Sequence, residues 1–339
     1  MKFRPLLAAF AGLALVACGQ PADEPGTATD ELVVITHESF SIPDELKDRF
    51  AEDTGLDVTY QTMQDTGSMV NQLILTKDAP LGDVVFGVDN TFASRAIGEG
   101  VFDDYVSDAR APGGPESLPG LTPIDFGDVC VNADLTWFEA EGLPLPETLA
   151  DLTDDRYRDL FVAPSPATSS PGLAFLFTTV GAHGDGWLDY WRALDDNGAI
   201  TVSGWTQAYN VEFSAGEGGG DRPLVLSYST SPAWTIGDDG ESTTASLLDT
   251  CFRQVEYAGV LAGAENPDAA AQFVDFLLSP DVQASIPDHM FMYPADTSVE
   301  LPEEWVRFAP LADEPFEVSS EDIEANREQW IQEWTEAIG

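Results

Sequence analysis

The chain carries three cysteines, Cys18, Cys130 and Cys251, and three histidines, His37, His183 and His289. No two of these stand at a metal-ligand spacing: there is no Cys-x-x-Cys, and the histidines are scattered. The glycine run Gly216-Glu217-Gly218-Gly219-Gly220 is not a phosphate loop, because no strand leads into it and no Lys-Ser/Thr follows. It is expected to be a surface loop. No Gly-x-Ser-x-Gly turn presents a nucleophilic serine, which leaves only a Ser-His-Asp set assembled from distant segments. In an exported chain, Cys130 and Cys251 form an isolated pair expected to make a disulfide, with two buried free thiols as the alternative. The chemistry on offer is therefore binding chemistry, and the elements that would position it come next.

Lys2 and Arg4 precede an apolar run from Leu6 to Ala17, too short to span and stay in a bilayer. It ends in Leu15-Val16-Ala17-Cys18, the pattern of a secretory signal peptide, residues 1–17. A cysteine at that place resembles the lipobox of bacterial lipoproteins, which implies an acylated Cys18 as the first mature residue and a membrane attachment. Residues 18–31 are rich in Gly, Pro, Asp, Glu and Thr and suit a flexible tether. The formal charge of −46 becomes −48 without Lys2 and Arg4, and only Lys47 and Lys77 remain as lysines. Such a chain repels nucleic acid and anionic membrane surfaces. Acidity along the whole chain serves solubility, and one or two carboxylates suffice to attract a cationic ligand.

From Leu32 the chain alternates strand and helix. Leu32-Val33-Val34-Ile35-Thr36 is a continuous apolar run, as in a strand buried on both faces. Ser41-Ile42-Pro43 is expected to start a helix that carries Leu46 and Phe50 and closes at Gly55. A strand over 56–60, a helix opening at Gly67-Ser68, a strand over 82–88 and a helix from Thr91 to Gly98 follow. This order predicts an α/β fold with a parallel sheet covered by helices. Ligands then bind beyond the carboxyl ends of the strands. The residues there are His37, Glu38 and Ser39 after the first strand, and Asp89 and Asn90 after the third.

Past a Pro/Gly-rich stretch, Ala111 to Pro123, an extended crossing segment runs through Cys130. A second α/β region reaches about Asp249, with strands at 160–163 and 223–227. A second extended segment starts at Cys251 and ends at Val260. If both segments cross between two lobes side by side, the cysteines are neighbours. A helix after Asn266-Pro267 buries Ala270, Phe273, Val274 and Leu277, and a last helix from about Ser320 to Ile338 turns Ile323, Trp330, Ile331, Trp334 and Ile338 inward. Lobe boundaries are set at 32–124, 125–252 and 253–300, with 301–339 as a helical segment against the second lobe.

Several stretches resemble the thiamine-binding proteins of bacterial ABC transporters, within the type II periplasmic binding proteins. They are Asp83 to Asn90, Pro123 to Gly127, Ser169 to Leu173, Gly204-Trp205-Thr206-Gln207-Ala208-Tyr209, Leu226 to Ala233, Gln254-Val255-Glu256, Met292-Tyr293-Pro294 and Arg327 to Trp334. The Gly-Trp-x-x-Ala-Tyr and Leu-Ser-Tyr-x-Thr-Ser-Pro-Ala stretches are the specific ones. The resemblance implies a two-lobed fold with mostly parallel sheets, a small-molecule ligand in the cleft, no cofactor and no metal, no enzymatic step, and delivery by a monomer to a membrane permease. Position by position it implies ligand contacts at Ser169, Trp205 and Tyr228, with Tyr209 of the same stretch. Trp234 stands where the family can have Tyr, Phe291 where it can have Trp, and His37-Glu38 where it can have Tyr-Asp. Thiamine suits such a set: its thiazolium is a permanent cation, and aromatic faces attract cations by roughly 0.5–2 kcal/mol each. Other cargo for the same fold would be a polyamine, an organophosphonate or ferric iron. An exported thiamine-cleaving enzyme is the alternative from another class, and it needs an activated nucleophile.

Overall fold

The computed structural model describes residues 30–339. The signal segment, Cys18 and nearly all of the tether lie outside the described residues. The first run is β1 (Glu31–Thr36), α1 (Asp44–Thr54), β2 (Asp57–Thr62), α2 (Thr66–Leu75), β3 (Val84–Asp89) and α3 (Ala93–Gly98). Then β4 (Thr122–Asp134) leads through α4 (Leu135–Glu141) to β5 (Phe161–Pro164), α5 (Ser170–His183), α6 (Trp187–Asp196), β6 (Ile200–Val202), α7 (Trp205–Gln207) and β7 (Leu224–Tyr228). The chain returns along β8 (Thr244–Val260) and ends with α8 (Pro267–Leu277), α9 (Pro280–His289), β9 (Tyr293–Pro294), α10 (Glu303–Phe308) and α11 (Ser320–Ala337).

The strands form one continuous sheet in the order β2-β1-β3-β8-β4-β7-β5-β6, with β9 added to β4. The outer groups are parallel: β1 with β2 and β3, and β5 with β6 and β7. Between them β4 and β8 run antiparallel to each other and to their neighbours. The α/β expectation holds at each end, and the two crossing segments are these long central strands. β3, β4 and β5 are buried at every residue, which explains their unbroken apolar runs. One core packs β1 and β3 against α8 through Val34, Phe86, Phe273 and Val274. The larger core joins α5, α6 and α11 to the rest of the sheet.

Three local expectations change. α1 starts at Asp44 after Pro43, with no side-chain cap, so Ser41 is free for another role. α2 starts at Thr66, one residue before Gly67, because Asp65 caps it through the Thr66 N–H. β8 begins at Thr244 rather than Cys251, since Thr244–Leu247 pairs with Val131–Asp134 of β4. The C-terminal segment reaches both ends of the sheet: α11 sets Trp334 against Trp191 of α6 at 5.5 Å and Arg327 over Phe92, beside α3, at 4.4 Å.

Cys130 and Cys251 are bonded, with Cα atoms 4.3 Å apart and a separation of 121 positions in sequence. The bond lies where β8 bulges past β4, between the pairs Val129–Phe252 and Val131–Leu247. It staples the two crossing strands to each other, and closing a loop of this length restricts the unfolded chain by about 4–5 kcal/mol in the entropic account.

Candidate functional site

A cleft of 680 Å³ opens beyond the strand ends, between the two parallel halves of the sheet. One wall comes from the loop after β1, the start of α2 and the segment after α9. The other comes from α7 with the turn that follows it, the loop through Gly216 and the segment after β7. Glu256 of β8 lies at its floor. No lysine or arginine lines it.

Trp205 opens α7 and is half-buried. One helical turn on, Tyr209 stacks on its ring at 5.1 Å and 11°. The indole Nε1 donates to Ser227 Oγ at 2.9 Å, and Ser227 in turn bonds Ser231 at 2.9 Å. The ring is thus held flat against the cleft before any ligand arrives. Across the mouth, Trp234 and Phe291 meet edge to face at 4.5 Å and 68°, and they are 45% and 41% exposed. Phe291 adopts φ 59°, a left-handed conformation that bulky residues avoid, while its carbonyl accepts from Thr230 Oγ1 at 2.7 Å. Tyr228, at the end of β7, donates to Gln254 Oε1 at 3.2 Å.

Glu38, Ser39 and Ser41 also line the cleft, together with His37. The Ser39 N–H donates to His37 Nδ1 at 3.1 Å, which leaves Nε2 facing Glu256 Oε1 at 3.5 Å. Gly87 makes room for this ring: its φ is +96°, and a Cβ there would stand 2.0 Å from His37 Cδ2. The loop 216–220 lies at the surface as expected, with residues 217–219 exposed, and its Gly216 and Glu217 also contribute to the wall. A Cβ on Gly216 would lie 2.0 Å from the Tyr209 carbonyl oxygen, so only glycine lets the loop close on the aromatic turn.

Three residues expected at the ligand, Ser169, Asp89 and Asn90, do not line the cleft. Ser169 is fully buried, and its hydroxyl donates to Asp65 Oδ2 at 2.9 Å. Asp89 is fully buried as well, because its Oδ1 accepts from Thr91 N, Thr91 Oγ1 and Phe92 N at 2.7–3.1 Å and so caps the turn into α3. Neighbouring Asn90 bonds the β8 backbone at Arg253 and Val255. Burial, helped by Glu256, pushes the Asp89 carboxyl up to about 7 against those capping bonds.

Asp65 is the residue that sequence reasoning missed. Besides capping α2 at Thr66 N (2.8 Å), it accepts from three donors across the cleft: Ser169 Oγ, the Ser170 N–H at 3.0 Å and the Trp205 N–H at 3.1 Å. One carboxylate therefore serves the N-termini of α2, α5 and α7 and ties the two walls together. Burial raises its pKa, while the bonds from Trp205, Ser170 and Ser169 pull it down. An Asp-Thr pair before an apolar helical pattern is an N-cap signal that would have marked it. Glu256, Gln254 and Asp125 were missed as well, since their meeting depends on strand register.

The sequence profile of the family described as bacterial extracellular solute-binding proteins matches residues 36–284. The thiamine-binding periplasmic protein of Escherichia coli (strain K12) is 28% identical over 93% of this chain and 95% of its own. That of Brucella melitensis biotype 1 is 28% identical over 91% and 92%. Among solved structures, a periplasmic thiamin binding protein superimposes with a TM-score of 0.81 at 28% identity, over 91% of this chain and 96% of its own. A ferric binding protein from Campylobacter jejuni reaches 0.72 at 14% identity, over 91% and 99%, and shows the shared fold alone.

Proposed function

The chain belongs to the bacterial extracellular solute-binding proteins, and from that premise we propose that it captures thiamine, or a thiamine phosphate, in the cleft and delivers it to an ABC import permease. The observation that carries this reading is the pairing of aromatic faces with an anionic floor. Trp205, Tyr209, Tyr228, Trp234 and Phe291 line a cleft whose floor holds Glu256 and which no lysine or arginine enters. A flat cation meets attraction from the ring faces and from the carboxylate at once. The names of the relatives that align along nearly the whole chain support the same cargo.

A ferric ligand set is disfavoured by Tyr228, which donates its hydroxyl to Gln254 and is flanked in sequence by Ser227 and Ser229 rather than by a second tyrosine. Cleavage of the ligand is disfavoured by the bond between Cys130 and Cys251, which leaves no free thiol among the described residues. The protein works as a monomer, exported and held to the outer side of the membrane through lipidated Cys18. Deletion of this chain in its source organism is expected to abolish high-affinity uptake of radiolabelled thiamine, with recovery on re-expression. Unchanged uptake in the deletion would overturn the delivery role.

A further inference from the structure

Three carboxyl groups stand in a row under the cleft floor. On β8, Glu256 is the register partner of Asp89 on β3 and of Asp125 on β4, so the three side chains share one face of the sheet. Asp125 is fully buried, and neither of its carboxyl oxygens has a hydrogen-bond partner among the described residues. Glu256 Oε1 accepts from Gln254 Nε2 at 3.3 Å and faces His37 Nε2 at 3.5 Å. Carboxylates directly opposite one another repel, and a buried anion without donors is costly. A proton held between Asp125 and Glu256 removes both penalties.

The geometry points to a proton-for-cation exchange: the empty cleft stores a proton in the group formed by Asp125, Glu256 and His37, and a cationic ligand entering over Glu256 expels it to solvent. The choice of thiamine as that cation rests on the function proposed above. The acidic groups facing the cluster favour storage. Asp65 approaches from α2, and Tyr228 from β7 meets it through Gln254. Arg327 of α11 pairs with Glu328 and also acts on Asp89, where it opposes storage. Asp288 and His289 stand at the rim. Burial, then Glu256, hold the Asp125 carboxyl well above the usual range. Burial lowers His37, but Glu256, Asp65 and Asp89 outweigh it and leave the imidazole raised. A fixed positive charge in the cleft favours a carboxylate and disfavours an imidazolium, so both members lose affinity for the proton when it arrives. The free protein then binds more protons than the complex, and affinity rises with pH across the range where the row titrates.

Calorimetric titration with thiamine at neutral pH, in buffers of different ionisation enthalpy, counts the protons released. About one proton per ligand is expected for the unaltered chain, a smaller release for Asp125→Asn, and none, with weaker binding, for Glu256→Gln. Tight thiamine binding with no proton release overturns the exchange and leaves the cargo intact. If thiamine does not bind, infrared spectra of the ligand-free protein still decide. A neutral-carboxyl stretch that disappears in Asp125→Asn upholds the stored proton even as the cargo reading falls, and its absence in the unaltered chain overturns the proposal.

Discussion

Trp205→Ala is expected to weaken thiamine binding about 100-fold while leaving the fold in place. The indole supplies a large flat face in the cleft, and it is held by the Ser227 hydrogen bond and by stacking on Tyr209. A desolvated cation–ring contact contributes about 2 kcal/mol, and a stacked aromatic pair about 0.5–1.5 kcal/mol more. Since about 1.4 kcal/mol is a factor of ten in affinity, their loss accounts for the expected change. The ring is half-buried at a cleft wall and lies outside the two main cores, so the melting temperature should move little. Tyr228 differs, because it packs against both of those cores. Truncation to alanine there mixes folding with binding, and Tyr228→Phe is the cleaner substitution. Fluorescence titration of both variants, with thermal melts alongside, checks the account. Undiminished affinity in Trp205→Ala would remove the aromatic platform from it.

Asp65→Ala is expected to free the walls from each other. Three donors on the far wall lose their acceptor: Ser169 Oγ, the Ser170 N–H and the Trp205 N–H. Two of them open helices, where N–H groups have no intrahelical partner. Bonds to a charged acceptor are worth about 1.5–3 kcal/mol each, and in an opened cleft water recovers part of that. The closed arrangement therefore loses its main cross-cleft tie, with the Thr230–Phe291 bond left at the mouth. A ligand that binds by touching both walls must then supply the difference, which lowers apparent affinity by the fraction of closed protein lost. The ligand-free variant should show a larger radius of gyration in solution scattering and a 10- to 100-fold weaker thiamine affinity, and saturating thiamine should restore the compact form. Asp65→Asn, which keeps an acceptor oxygen but no charge, should fall between. Identical scattering for the variant and the unaltered chain would show that Asp65 only caps α2.

The scaffold was legible where burial is two-sided. β1 and β3 announce themselves as apolar runs because helices cover both faces of the sheet there. The start of β8 did not, since Thr244-Ala245-Ser246 carries no apolar run and is a strand only because the end of β4 lies beside it. The aromatic wall was named through a resemblance carried by Gly-Trp-x-x-Ala-Tyr and its companions. Its stacking and the edge-to-face pair at the mouth needed coordinates. The carboxyl row was invisible for a different reason. Asp89, Asp125 and Glu256 are far apart in sequence, and only the pairing of β3, β8 and β4 brings them together. The resemblance implies a contact at Ser169, and the end of a strand points to Asp89. Their side chains are spent inside the protein, on Asp65 and on the α3 turn.

The most direct test of the cargo is calorimetric titration of the ligand-stripped protein with thiamine, its mono- and diphosphate, spermidine and ferric citrate in parallel. The account predicts tight one-to-one binding of a thiamine form and no response to spermidine or iron. No heat with any thiamine form, or saturable binding of spermidine or iron in its place, would contradict it.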